Sequence, residues 1–452
     1  MESQETSARG VWGSKVAFIF AATGSAIGLG NIWRFPTVVS QNGGAVFVFV
    51  YVLAVAFIGF TVMLAELTLG RHSQKNPVGA IDYIKPGSPW KFIGYLGIVT
   101  GVCLLSFYAV VAGWAAGYIF KTATGAFKGQ LTADMANKIF TDFSSDPLQV
   151  FIFFALIMGL TIFIISKGVK KGIEKWTKIL MPALFLLIVL LAVRALTLPG
   201  AGKGLSFYLN PDFSKLSGKV ILFAVGQAFF SLSLGMGTMI TYGSYISKSS
   251  NLVSSAGWVS FADTFIALLA GLIIFPTLVS FGQPVDVGGE GLAFQIFPLI
   301  LSQFPGGYIF GILFFTLLTV AALTSTISLL EVPVAYFVDE RSWSRKKAVL
   351  VIGILTFILG IPSALSMGGM EFFTKLKFLG FFAFAFGNIS LAVGAFFICI
   401  FVGYIWGRKK ALKEIASGNP RFRLRYIWVF SLMILTPIVI LFILYFIKTF
   451  RG

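Results

Sequence analysis

Residues Gly24 to Pro36 read GSAIGLGNIWRFP and lie inside the first long apolar run of the chain. A helix crossing a membrane needs to be continuous there. Yet the stretch carries three glycines, a serine, an asparagine and an arginine. Each glycine costs a helix about 1 kcal/mol against alanine. Backbone that leaves the helix at membrane depth has to line a cavity or lie inside protein, because lipid offers no hydrogen bonds. Arg34 adds a charge that costs roughly 2.5–3.5 kcal/mol at mid-bilayer. The stretch reads as a binding segment within a broken transmembrane helix.

The surrounding chain agrees. Of 452 residues, 57% are hydrophobic and 12% charged, against about 25% charged in soluble domains. Mean hydropathy is +0.90. This is the composition of a polytopic membrane protein. No small-residue cleavage site follows the first apolar run, so that run is expected to be a retained span rather than a signal peptide. Cys103 and Cys399 sit in apolar runs and read as buried free thiols. The single histidine, His72, ends a span with no cluster of metal ligands beside it.

A helical span needs about 20 apolar residues. Eleven candidates follow: 12–40, 43–70, 92–121, 147–166, 177–194, 218–247, 257–282, 308–338, 347–366, 378–406 and 426–447. The polar segments 122–146, 195–217 and 283–307 are connecting loops by length, with a short helix expected within 284–300. Most Lys and Arg fall in loops on one face, notably 167–178, 341–347 and 408–425. That bias places the N-terminus in the cytoplasm and, after eleven spans, the C-terminus outside. It also explains the net charge of +18 as a topology signal rather than a nucleic-acid footprint.

The sixth run carries an echo of the opening stretch. Phe229 to Thr238 read FFSLSLGMGT, and Gly235-Met236-Gly237 repeats Gly28-Leu29-Gly30. Either motif alone more often marks close helix packing. As a pair they place interrupted helices first and sixth, at corresponding points of two halves. That is the pattern of transporters built from inverted repeats, whose site lies between the halves. The expected architecture is all-α: a first repeat over 12–194, a second over 218–406 and an additional helix at 426–447, in one transmembrane domain over 1–452.

GSAIGLGNIWRFP, NGGAVFVFVYVLAVAFIGFTVMLAELTLGR, GQAFFSLSLGMGTMITYGSY and AALTSTISLLEVP together resemble the neurotransmitter:sodium symporters of the bacterial leucine-transporter fold. Within that family the chain looks most like bacterial transporters of several hydrophobic amino acids. The resemblance implies two sodium sites. The first would use the Ala26 carbonyl, Asn31, Ser231 and Asp263. The second would use the carbonyls of Gly24, Ile27 and Ala321 with the hydroxyls of Thr324 and Ser325. Back-bonding to their own helix is the plainer reading of those two hydroxyls. Relatives usually carry asparagine where this chain has Asp263, and a serine or glutamate where it has Ala267. A fixed negative charge at Asp263 implies transport without chloride. Glycine at position 28 replaces the aspartate of amine transporters, so the substrate brings its own carboxylate. The resemblance places Ser25, Ala26, Gly28, Leu29, Gly30, Leu104, Tyr108, Phe230, Ser231, Ser233, Met236, Ser325 and Leu329 around a neutral hydrophobic amino acid. Core packing alone would explain the aromatic and Met positions.

The resemblance also implies gates. Arg9 and Trp12 resemble an inner gate, with Asp339 as its acidic partner. Arg34 resembles the outer-gate arginine; its acid in the tenth helix is missing, since Ala383 aligns there and Glu371 is a distant substitute. Glu66 resembles the buried glutamate that hydrogen-bonds the unwound first helix, and Glu331 is a third intramembrane acid with a structural role. Gly172 and Pro182 bracket a helix start expected to unwind and let water reach the second sodium.

The function expected is sodium-coupled import of hydrophobic amino acids by alternating access across the inner (plasma) membrane. A proton-coupled permease of the same fold and a non-transporting sensor or channel are the alternatives. No nucleophile–base pair, metal cluster or phosphate loop points to an enzyme. No nucleic acid and no obligatory protein partner is implied; the bilayer and the substrate are the expected contacts.

Overall fold

The structure is a computed structural model and describes residues 11–129, 131–285, 289, 291–303, 306–418 and 422–449, with side chains described as far as residue 446. Among these residues there are helices and no strands. Among the described residues nine helices are long and apolar enough to cross a membrane. The bent pair Lys15–Ala26 and Gly30–Gln41 makes a tenth span. The interrupted pair Gly218–Ser231 and Thr238–Gly243 completes the expected eleven.

Polar caps set the helix starts. Ser14 accepts from Ala17 N–H, Asp146 from Leu148 and Gln149, and Asn251 from Ser254, each satisfying an amide that the helix itself leaves open. Several spans exceed their apolar cores. The fifth runs Val169–Leu196 rather than 177–194, and the eighth Gly307–Arg341. Apolar counting stops at the first charges, whereas Lys170, Lys171 and Lys175 continue the helix and lie exposed. Two polar segments expected to be loops hold helices of their own, Ala133–Ser145 and Ala201–Leu209. The short helix expected within 284–300 is present at Leu292–Leu301.

The third span, Pro89–Ala123, packs along the eighth. The half-helix Lys15–Ala26 packs against the seventh and eighth spans, and Thr238–Gly243 against the second. Both breaks are thereby enclosed by protein. In the first, Ile27 turns extended (φ −75°, ψ 111°) and the chain resumes 50° off axis. In the sixth, Ser233, Gly235 and Gly237 all take positive φ. A Cβ on Gly235 would stand 2.1 Å from the Leu391 carbonyl oxygen, so only glycine fits there.

Candidate functional site

The two breaks lie against each other and are tied by side chains. Ser233 Oγ donates to the Ser25 carbonyl at 2.9 Å. Ser25 Oγ in turn donates to Ser328 at 2.7 Å. Two helix C-termini, at Ala26 and Ser231, and two N-termini, at Gly30 and Thr238, converge here. Such ends favour a cation and an anion respectively. A zwitterion has both charges.

Between the breaks is a small cavity lined by Ser25, Ala26, Gly28, Gly30, Leu104, Tyr108, Phe230, Ser233, Met236, Ser325 and Leu329. Two expected residues lie elsewhere. Leu29 faces the adjoining vestibule and donates its N–H to Tyr108 Oη at 2.8 Å. Ser231 belongs to a polar cluster beside the cavity. A Cβ on Gly28 would stand 2.3 Å from Ser325 Oγ and 2.4 Å from Tyr108 Oη. A side chain at position 28 would have to displace the Ser325 and Tyr108 hydroxyls from the cavity wall.

That polar cluster contains Asn31, Ser231 and Asp263, all fully buried. Asn31 Nδ2 donates to Asp263 Oδ1 at 2.7 Å and to Ser231 Oγ at 3.0 Å, and Asn31 Oδ1 accepts from Gly28 N–H at 3.1 Å. Ser231 Oγ reaches both carboxylate oxygens, at 2.8 and 2.7 Å. Tyr51 Oη donates to Asp263 Oδ2 at 3.3 Å. Sequence reasoning missed Tyr51. Its signal is a hydroxyl within the valine- and phenylalanine-rich run VFVFVYVLAV. Ala267 is buried one turn on and offers no oxygen.

A second cluster of oxygens joins the first and eighth spans. Thr324 Oγ1 donates to the Ala321 carbonyl at 2.9 Å, the expected back-bond, and also reaches the Ile27 carbonyl at 3.4 Å. Ser325 Oγ lies 3.5 Å from the carbonyls of both Ile27 and Ala321. A Cβ on Gly24 would stand 3.4 Å from Thr324 Cβ, which puts Gly24 beside the same cluster. Both clusters offer hydroxyl, carbonyl, amide or carboxylate oxygen. That donor chemistry fits a hard cation such as sodium, here a cargo ion rather than a resident cofactor.

The gate residues divide. Arg9 lies outside the described residues. Trp12 is buried, donates its indole N–H to the Tyr242 carbonyl at 3.1 Å and packs edge-on against Tyr245. Asp339 accepts from Asn76 Nδ2 at 3.0 Å. Arg34 meets amides: Nη1 donates to Gln227 Oε1 at 3.0 Å and Nη2 to Asn388 Oδ1 at 2.7 Å. Glu371 instead pairs with Lys375 on an exposed helix. Glu66 Oε1 accepts from Gly235 N–H at 2.7 Å, in the sixth span rather than the first. The left-handed turn at Gly235 frees that amide and aims it at the second span. Glu331 has a definite partner set: Tyr245 Oη at 2.7 Å and both arms of Arg345, at 3.1 and 2.5 Å. The fifth span holds a wide turn at Val169–Glu174 but stays wound through Pro182. Met181 Sδ would stand 3.1 Å from a Cβ on Gly24, which puts this helix beside the second oxygen cluster.

A helical membrane bundle with two facing breaks, oxygen clusters for hard cations and a cavity for a small solute defines a solute transporter. The comparisons agree. The profile of the sodium:neurotransmitter symporter family matches residues 9–140 and 140–451. An uncharacterized sodium-dependent transporter of Bacillus subtilis, YhdH, is 38% identical over 95% of this chain and 96% of its own length. The sodium-dependent serotonin transporter of Drosophila melanogaster is 28% identical over 82% of this chain and 67% of its own. The crystal structure of MhsT in complex with L-phenylalanine is 43% identical, with a TM-score of 0.89 over 97% of this chain and 99% of that one. The chain belongs to the sodium:neurotransmitter symporter family. It is a multi-pass, sodium-coupled transporter and not an enzyme.

Proposed function

We propose that the protein imports neutral hydrophobic L-amino acids by alternating access, driven by two sodium ions and independent of chloride. The observation that carries this is the space at Gly28. An amine transporter needs an acid here; glycine brings none, and the Tyr108 and Ser325 hydroxyls stand where a side chain would start, so the carboxylate has to come with the substrate. Leu104, Met236, Phe230 and Leu329 then form an apolar wall for the side chain, and methionine adapts to several shapes. That MhsT was solved with L-phenylalanine supports the same substrate class. The charge bias of the loops supports a cytoplasmic N-terminus in the plasma membrane, with the C-terminus outside.

Asp263 supports chloride independence. Its buried carboxyl supplies an acidic group to the first oxygen cluster, where Tyr51 and Ser231 donate to it, and an anion held there by the protein itself takes the place of chloride. Replacing chloride by gluconate is expected to leave uptake unchanged; uptake that collapses would contradict this reading. The same carboxylate is the one observation that favours proton coupling as a second reading. Thermal stabilisation across the twenty amino acids separates the two. Stabilisation by leucine, phenylalanine and their like is expected to require sodium. Equal stabilisation in choline, varying with pH, would favour the proton-coupled permease.

A further inference from the structure

Phe230 and Arg34 close the space between the amino-acid cavity and the larger vestibule beside it. Phe230 borders both. The Arg34 guanidinium lies on its ring, 4.4 Å from the centroid. What holds Arg34 there is a pair of neutral amides. Gln227 comes from the first half of the sixth span, Asn388 from the wide turn Ala385–Ser390 of the tenth.

Both amides are fixed at their other ends. Gln227 Nε2 donates to the Gly30 carbonyl at 2.7 Å, and Asn388 Nδ2 to the Ala383 carbonyl at 3.3 Å. Flipping either amide would aim N–H groups at the guanidinium, which only donates. The orientation is therefore set, and both oxygens face Arg34. Among the described residues no carboxylate forms an ion pair with it. A hydrogen bond between a charged and a neutral group is weaker than one between two opposite charges. It also strands no unpaired anion in the vestibule when it opens.

We propose that Asn388 is a positioning residue that holds Arg34 over Phe230, and that its amide sets a short closed time for the pocket on the vestibule side. The proposal rests on the transport reading above. Asn388 lines the vestibule and not the amino-acid cavity, and it acts through Arg34. It lies within the wide turn Ala385–Ser390 and lines the vestibule together with Ala383 and Phe384.

The test uses the full-length protein, measuring dissociation of bound radiolabelled L-phenylalanine and uptake of it into proteoliposomes. Asn388→Asp keeps the size and adds the charge. It is expected to slow dissociation by roughly tenfold and to lower KM and kcat together, since the ion pair strengthens the closed state. Asn388→Ala is expected to speed dissociation and raise KM. A generally damaged fold would not slow dissociation, so the aspartate variant separates positioning from structure even where the alanine variant fails to fold. Wild-type dissociation rates in Asn388→Asp would overturn the proposal. Wild-type protein that binds L-phenylalanine without accumulating it would overturn the transport reading and leave the latch measurable. Wild-type protein that does not bind it would overturn both.

Discussion

A side chain at position 28 would strike Ser325 and Tyr108, and both of those line the amino-acid cavity. Gly28→Ala therefore acts at the site itself. Overpacking of this kind costs about 1–3 kcal/mol, so amino-acid affinity is expected to fall by roughly tenfold or more. Sodium-dependent stabilisation measured without amino acid is expected to weaken as well, because Ser325 belongs to the second oxygen cluster and the Gly28 N–H donates to Asn31 in the first. Titration by calorimetry, with and without sodium, checks both parts. Glu331 and Arg345 act on the fold instead. Removing one partner of a buried pair costs about 3–5 kcal/mol, and Glu331→Ala is expected to lower the thermal midpoint clearly. A midpoint at the wild-type value would deny the pair a structural role.

At the scale of elements, the two breaks were legible in the sequence because they violate the apolar pattern around them. Three glycines and an asparagine in one run, and Gly-x-Gly in another, have no cheaper explanation at membrane depth. Tyr51, Gln227 and Asn388 obey the same logic. Each is a polar group in an apolar run, and each ended up holding a site residue. They escaped notice because an aromatic or an amide reads as packing until its partner is known. The partner of Glu66 was misplaced for a related reason: the sequence marks two breaks but not which one the second span meets. Arg34, for which the sequence offers no acid in the tenth helix, is held by the amides of Gln227 and Asn388, which carry no charge to mark them as partners.

The fifth span carries a prediction of its own. Pro182 removes an amide hydrogen within Lys175–Leu196, next to Met181, which touches Gly24 beside the second oxygen cluster. Pro182→Ala is expected to slow uptake while equilibrium binding stays near wild type; unchanged uptake would refute the idea. A second concerns the helix Arg408–Gly418, docked by Glu414 on Arg71 and His72. Burial pushes the Glu414 carboxyl up, but hydrogen bonds from His72 and Arg71 outweigh it and hold it down at about 2. A lowered folded value adds stability that is full above the ordinary value of 4.5 and is lost as pH falls toward about 2. Hydrogen exchange of this helix is expected to be pH-independent above about pH 5, after correction for intrinsic exchange, and to lose protection below about pH 4. Glu414→Gln is expected to remove that dependence.

Over the whole molecule, charge and apolar length give the order of spans and their expected orientation, while the helix ends depend on the interface. Lys170 and Lys171 belong to a helix that apolar counting cuts short. The helices Ala133–Ser145 and Ala201–Leu209 lie where polar composition suggests loops. Neither misreading touches the site, because the breaks lie inside the spans and are held by spans on every side. Alternating access is a property at this scale, and one measurement tests it directly. Purified protein in proteoliposomes is given an inward sodium gradient and radiolabelled L-phenylalanine or L-leucine. Transient accumulation above the outside concentration is expected, abolished when choline or lithium replaces sodium and undiminished when gluconate replaces chloride. Equilibration without accumulation, or equal accumulation in choline, would contradict alternating access driven by sodium.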